Sequence, residues 1–201
     1  MDDWCPRVWP EEPVPAEAAH CTDCGLHRHG SRMVWGEGRP LAPLMIILDN
    51  PGAREDAEGR AFVCGTRQTL QRAVHESGLQ ESDVYVTFIL KRRPIRAYDK
   101  EQTRAICLRR HLLAQIEEKR PLRILCLGNA AVQAFFARDD ADVKQMRQQW
   151  HAPRGIPTAV SYHPLAVRRR PNLWPNFLED WRFLAASYIA LQRRINERLS
   201  T

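Results

Sequence analysis

The segment Leu44-Met45-Ile46-Ile47-Leu48-Asp49-Asn50-Pro51-Gly52 constrains the fold more than any other part of this chain. Five apolar residues in a row read as a buried strand, and the run stops at two small polar side chains and a Pro-Gly turn. In open α/β sheets, ligands bind outside the carboxyl ends of the strands. Asp49 and Asn50 therefore stand where such a protein does its chemistry. A second corner of the same kind is Pro157-Thr158-Ala159-Val160-Ser161-Tyr162-His163-Pro164. An amide and carboxylate at one strand end and an imidazole at another make a plausible catalytic set.

Strand-like runs recur at Leu44–Leu48, 84–90, Arg123–Leu127 and Thr158–Ser161. Helical patterns separate them over 67–77, 101–119 and 129–137. This alternation predicts βαβ units, hence an α/β fold with a parallel sheet. A last amphipathic helix carries Phe177, Trp181, Leu184, Tyr188, Leu191 and Ile195 at spacings of four and three, a core-packing stripe. Residues 139–150 have no clear period and read as a loop or a short helix. Residues 1–20, with Pro6, Pro10, Pro13, Pro15 and several acids, read as an irregular arm. Residues 21–201 then form one domain, long enough for a core of its own.

Thirty Lys and Arg against 24 Asp and Glu leave a net charge of +6. That sign favours an acidic partner, nucleic acid being the commonest, although solubility alone is served as well. No run approaches the roughly 18–20 apolar residues that span a bilayer. Met1-Asp2-Asp3-Trp4 lacks the basic start and apolar centre of a signal peptide. A cytoplasmic chain is expected, with its six cysteines reduced, buried or metal-bound.

Several spaced motifs then point the same way. In order they are Cys21-Thr22-Asp23-Cys24, Gly36-Glu37-Gly38, Met45-Ile46-Ile47, Pro51-Gly52, Glu55-Asp56 and Gly59-Arg60-Ala61-Phe62-Val63. Val84-Tyr85-Val86-Thr87, Lys91, Arg93-Pro94, Gln115-Ile116, Leu127-Gly128 and Tyr162-His163-Pro164 follow. No single piece is specific; their order and spacing are. The chain resembles the uracil-DNA glycosylase superfamily, and within it the iron–sulfur branch typified by thermophile enzymes. The resemblance implies a three-layer α/β/α sandwich around a central four-stranded parallel sheet. It also implies an enzyme that flips a nucleotide out of DNA and hydrolyses its N-glycosidic bond, and a monomer is expected. Such a site must stabilise an anion on the departing base and position water at C1′.

By the same resemblance, Asp49 and Asn50 occupy the first catalytic motif. Asn50 orients the attacking water, and Asp49 acts as its base or stabilises the sugar cation. A polar strand end in an Asx-turn would look the same in isolation. His163 fills the second motif, where it donates to the base carbonyl. Phe62 stacks on the extruded base, with Pro51 and Gly52 beside it in the base pocket. Phe88 stands where the family carries the asparagine that reads the uracil edge, and a phenyl ring makes no such bonds. Lys91, Arg92 and Arg93, and Arg168, Arg169 and Arg170, are expected to neutralise DNA phosphates.

The branch holds a four-iron cluster on four cysteines. Cys21 and Cys24 match two of them, Arg92 stands at the third position, and Cys107 lies near the fourth. His111, four residues after Cys107, suggests instead a Cys₃His zinc site of Cys21, Cys24, Cys107 and His111, with Cys5, His20 or His27 as other fourth ligands. An iron–sulfur cluster is the alternative, and the chemistry itself needs no cofactor. Cys64 and Cys126 read as packing residues. With no lysine in either catalytic motif, Schiff-base chemistry is not indicated and a monofunctional glycosylase is expected. The altered first motif and the lost reader suggest a modified pyrimidine as substrate, such as glucosylated hydroxymethylcytosine of phage DNA in antiviral defence. Uracil or deaminated-base excision in repair, and an inactive DNA-binding module, are the alternatives.

Overall fold

The computed structural model describes residues 4–52, 63 and 65–199, and in it six strands form one sheet. In chain order they are β1 (Glu11–Glu12), β2 (Gly36–Gly38), β3 (Leu44–Leu48), β4 (Val84–Phe88), β5 (Arg123–Leu127) and β6 (Thr158–Ser161). The helices are α1 (Ala16–Ala19), α2 (Gly65–Glu76), α3 (Lys100–Cys107), α4 (Leu113–Lys119), α5 (Asn129–Phe136), α6 (Val143–Met146), α7 (Pro164–Arg169) and α8 (Trp174–Leu199).

Strands β4, β3, β5 and β6 lie side by side and parallel. Leu44 is in register with Val84 on one side and Arg123 on the other. The sheet is larger than the four strands expected. β2 adds antiparallel to the outer edge of β4, and β1 adds antiparallel to β2. The amino-terminal arm is thus more ordered than its prolines suggest. Trp9 is buried in the core, and the Glu11 carboxylate is gripped by both terminal nitrogens of Arg32.

Strand parity sorts the side chains into two cores, because successive residues point to opposite faces. Leu44, Ile46, Leu48, Val86 and Leu125 pack under α2 and α8, against Leu70, Val74, Phe177, Trp181 and Leu184. Met45, Ile47, Ile124, Cys126 and Val160 pack under α4 and α5, against Ile116, Val132 and Phe135. Helices on both faces of a sheet give three layers. The stripe on α8 leaves the core after Tyr188, and Ile195 is exposed. The helical pattern over 101–119 is broken in its middle by a π-helical turn, Leu108–Leu112, between α3 and α4. Residues 139–150 contain the short helix α6, capped by the Asp142 carboxylate accepting from Lys144 N.

Two anchors fix the strand ends that matter. Past β3 and β4 the ladder continues, with Ile89 N donating to Leu48 O and Leu90 N to Asp49 O. At the end of β6, Ser161 Oγ donates to the buried Asp180 carboxylate of α8, which also accepts from Arg147 and from Gln148 at 2.6 Å. No helix among the described residues is long and apolar enough to cross a membrane.

Candidate active site

A cavity of about 530 Å³ opens at the carboxyl edge of the parallel strands. Its walls come from residues 49–52 after β3, the first turn of α2, residues 128–130 after β5, and His163, Leu165 and Arg168 around α7. The two corners singled out in the sequence therefore face one space, and Asp49, Asn50, Pro51, Gly52 and His163 all line it.

His163 is the N-cap of α7. Its Nδ1 accepts a hydrogen bond from Leu165 N at 3.0 Å, so the neutral ring carries its proton on Nε2. Burial pushes its pKa down to about 4. The Asp49 carboxylate opposes that shift, and the positive charge of Arg67 contributes to it in the same direction as burial. At neutral pH the ring is thus an uncharged donor. It is seated against Gly128, whose φ of 90° and ψ of 151° suit glycine almost alone. A Cβ added there would lie 2.8 Å from the Cβ of His163.

Asp49 does not stand alone. Arg104 of α3 forks onto it, Nε and Nη2 each donating to one carboxylate oxygen at 2.9 Å, with both side chains mostly buried. The Asn50 amide donates through Nδ2 to Pro51 O at 2.8 Å, which presents Oδ1 as the acceptor for a water.

Phe88 does not reach the cavity. It is fully buried in the core, and the guanidinium carbon of Arg67 lies 5.5 Å from its ring centroid. Arg67 is itself only 4% exposed, is ion-paired with the buried Glu37 of β2, and lines the cavity where Phe88 cannot. Phe62 and Cys64 lie outside the described residues.

A sequence profile of the uracil DNA glycosylase superfamily matches residues 35–185. The chain belongs to the uracil-DNA glycosylase superfamily. It is 35% identical to a type-4 uracil-DNA glycosylase of Pyrobaculum aerophilum over 170 residues, covering 80% of this chain and 86% of that protein. It is 31% identical to the type-4 enzyme of Thermotoga maritima, covering 80% and 85%, and 29% identical to that of Archaeoglobus fulgidus, covering 84% and 88%. The chain is accordingly a DNA N-glycosylase, a hydrolase whose substrate is DNA.

In this glycosylase Lys91 and Arg92 of the basic run after β4 turn into the protein rather than toward phosphates. Lys91 is fully buried: its ammonium donates to Thr87 Oγ1 at 2.6 Å, to Gln115 Oε1 and to Trp35 O at 3.3 Å. Desolvation pulls its pKa down to about 7. Arg92 turns inward, donating to Ser31 O at 2.6 Å and Ala19 O at 3.3 Å, and so ties the end of α1 to β4. Arg93 is half-buried, and its carbonyl accepts from Ser31 Oγ. Arg168, Arg169 and Arg170 are exposed, and Arg168 lies over Gly65 at the start of α2, where a Cβ would strike its guanidinium.

The expected zinc site is not assembled. No three His, Cys, Asp or Glu side chains converge on a metal position among the described residues. Cys24 and Cys107 hydrogen-bond to each other, and the more exposed Cys24 is the one pushed down, to about 6. Lys91 N also donates to Cys107 Sγ at 3.4 Å. His111 instead meets the edge of Trp35, ring centroids 5.5 Å apart, and burial drops its pKa to about 4. Of the four thiolates that the iron–sulfur alternative needs, Cys21, Cys24 and Cys107 are present, and at the third position implied by the resemblance stands Arg92, its guanidinium engaged with two carbonyls. Cys126 is a core residue, as expected.

Sequence reasoning missed Arg67 and Arg104. Arg67 had a signal, since it shares the buried stripe of α2 with Leu70, Gln71 and Val74. Arg104 had none: its partner lies 55 residues away.

Proposed function

We propose that this glycosylase excises a deaminated base, uracil first among them, in DNA repair. The carrying observation is His163, a neutral ring with its donor tautomer fixed, sharing one cavity with Asn50. The flipped base enters the cavity with its glycosidic bond toward the β3 end. Asn50 Oδ1 orients water for attack on C1′. As that bond breaks, electrons pass onto the base, and Nε2–H of His163 strengthens its bond to the base carbonyl, where negative charge gathers. Asp49, held by Arg104, keeps a fixed carboxylate near the sugar as it becomes cation-like. As the bond from the water oxygen to C1′ forms, the water's proton passes to the Asp49 carboxylate, since the neutral Asn50 amide orients water but cannot take its proton. Arg168, Arg169 and Arg170 neutralise flanking phosphates, and the aromatic Phe62 stacks on the base. The names of the relatives support this substrate class.

One observation favours a second reading. Phe88 brings no amide to the pocket, so a bulky modified pyrimidine of phage DNA, such as glucosylated hydroxymethylcytosine, becomes a candidate. A panel of DNAs with uracil, hypoxanthine, a thymine mismatch or glucosylated hydroxymethylcytosine, read by mass spectrometry of released bases, separates the two. Uracil release supports the first reading. Release of the glucosylated base alone replaces it with the second. No release from any DNA, with binding intact, leaves a DNA-binding module.

A further inference from the structure

The pocket has lost an amide but contains a cation at the same wall. Arg67 rises from the first turn of α2, covers the ring of Phe88 and lines the cavity shared by Asn50 and His163. A guanidinium this buried is costly unless paired, and Glu37 supplies the pair through Nε. The ion pair crosses from α2 to β2, so the side chain is held by two elements rather than hanging from one. We propose that Arg67 is the base-reading residue of this enzyme, taking the place at the pocket wall that Phe88 leaves without polar atoms, and that it selects bases by their keto edge. The inference rests on the glycosylase reading above.

The selection follows from donor and acceptor inventory. An amide offers one donor group and one acceptor, so it can match uracil uniquely through O4 and N3–H. A guanidinium offers donors only. It pairs with a carbonyl oxygen and repels an exocyclic amino group, whose N–H bonds point at its own. Deamination converts an amino group into a carbonyl, in uracil from cytosine and in hypoxanthine from adenine. Arg67 therefore distinguishes uracil from cytosine and hypoxanthine from adenine but does not distinguish a pyrimidine carbonyl from a purine one. It predicts a broader substrate range than an amide reader gives. The same cation strengthens its hold as the base departs as an anion, which places its effect in the chemical step as well as in binding. Its charge also helps to keep His163 neutral and donating.

The test measures single-turnover release and duplex binding for the wild type, R67K, R67M and the double variant R67M/E37Q, on oligonucleotides carrying one uracil, one hypoxanthine or only the normal bases. The double variant removes the buried carboxylate's charge, so it folds even where R67M does not. The expected result is release of both uracil and hypoxanthine by the wild type. R67M/E37Q is expected to lose roughly 10- to 100-fold in the release rate, the scale of one charge-assisted hydrogen bond, while duplex affinity holds. R67K should recover part of that loss. Wild-type release of uracil without hypoxanthine, or unchanged rates in R67M/E37Q, overturns the assignment and leaves the glycosylase reading standing. Absence of release by the wild type from every DNA overturns that reading itself.

Discussion

Gly128→Ala tests whether the seat of His163 is as tight as the geometry requires. At φ 90° and ψ 151° a non-glycine residue costs on the order of 1–3 kcal/mol. The new methyl would sit 2.8 Å from the Cβ of His163, which forces a shift worth roughly another 1–3 kcal/mol of overpacking. The sum is roughly 2–6 kcal/mol, which for a domain of this size lowers Tm by roughly 4–24 °C. Displacing the imidazole by about 1 Å also costs about 100-fold in rate. The control is Gly155→Ala: Gly155 has φ +75° but nothing within 4 Å of its added Cβ. It should lose about 1 kcal/mol and no activity. Thermal melts and single-turnover release from uracil and hypoxanthine oligonucleotides read both quantities. A Gly128→Ala enzyme as stable and as fast as the Gly155→Ala control would refute the argument that Gly128 holds the donor in place.

Further outcomes follow from the buried titratable groups and the basic surface. Because His163 titrates near 4 rather than 6.5, the unfolded chain binds more protons between those values. Stability from this residue is complete above about pH 6.5 and is lost as pH falls toward 4, by at most about 3 kcal/mol; urea melts of wild type against H163N isolate it from His111. The rate of release should show no inflection near pH 6.5, and an inflection there would mean that His163 is charged in the free enzyme. Lys91 falls from 10.5 to about 7, so its contribution makes stability rise with pH across that window; a K91M enzyme should show a flatter profile between pH 7 and 10. Replacing Arg168, Arg169 and Arg170 together by alanine should reduce the salt slope of DNA binding by roughly one per lost phosphate contact, equally for damaged and undamaged duplex. Elemental analysis of the purified chain should find no stoichiometric four-iron cluster, whereas R92C, which completes the thiol set with Cys21, Cys24 and Cys107, should gain iron.

The parts of this fold that could be read in advance are those set by local pattern. β3, β5 and β6 lie where the sequence pattern puts them, because burial on both faces confines polar residues to strand ends, Arg123 in β5 and Thr158 and Ser161 in β6. The cavity could be foreseen because Asp49 and His163 each follow such a run. Lys91 misled because it is followed by Arg92 and Arg93 and so looks like part of a solvated cationic face. Burial on both faces of β4 gives the better answer: every position from Val84 to Lys91 is buried, and Lys91 shares the parity of Tyr85 and Thr87, whose polar groups join it in one network. The Arg104 clamp and the Arg67–Glu37 pair depend on tertiary neighbours, and no local pattern encodes their distance. The zinc expectation failed on the same ground, since a shared helical face for Cys107 and His111 says nothing about where Trp35 will pack.

The sheet ends in ways that bear on self-association. Its outer strand β1 has two residues, both glutamate, and Glu12 is already engaged by Lys119 Nζ at 2.7 Å and by the Tyr85 hydroxyl. At the opposite margin, His151 exchanges both backbone hydrogen bonds with Thr158, at 2.7 and 2.9 Å. Among the described residues, a second molecule thus finds no long row of unpaired amides on this sheet to extend. At high local concentration on DNA, copies of this enzyme can crowd along one duplex without stitching their sheets together, and each remains able to leave its site and search for the next.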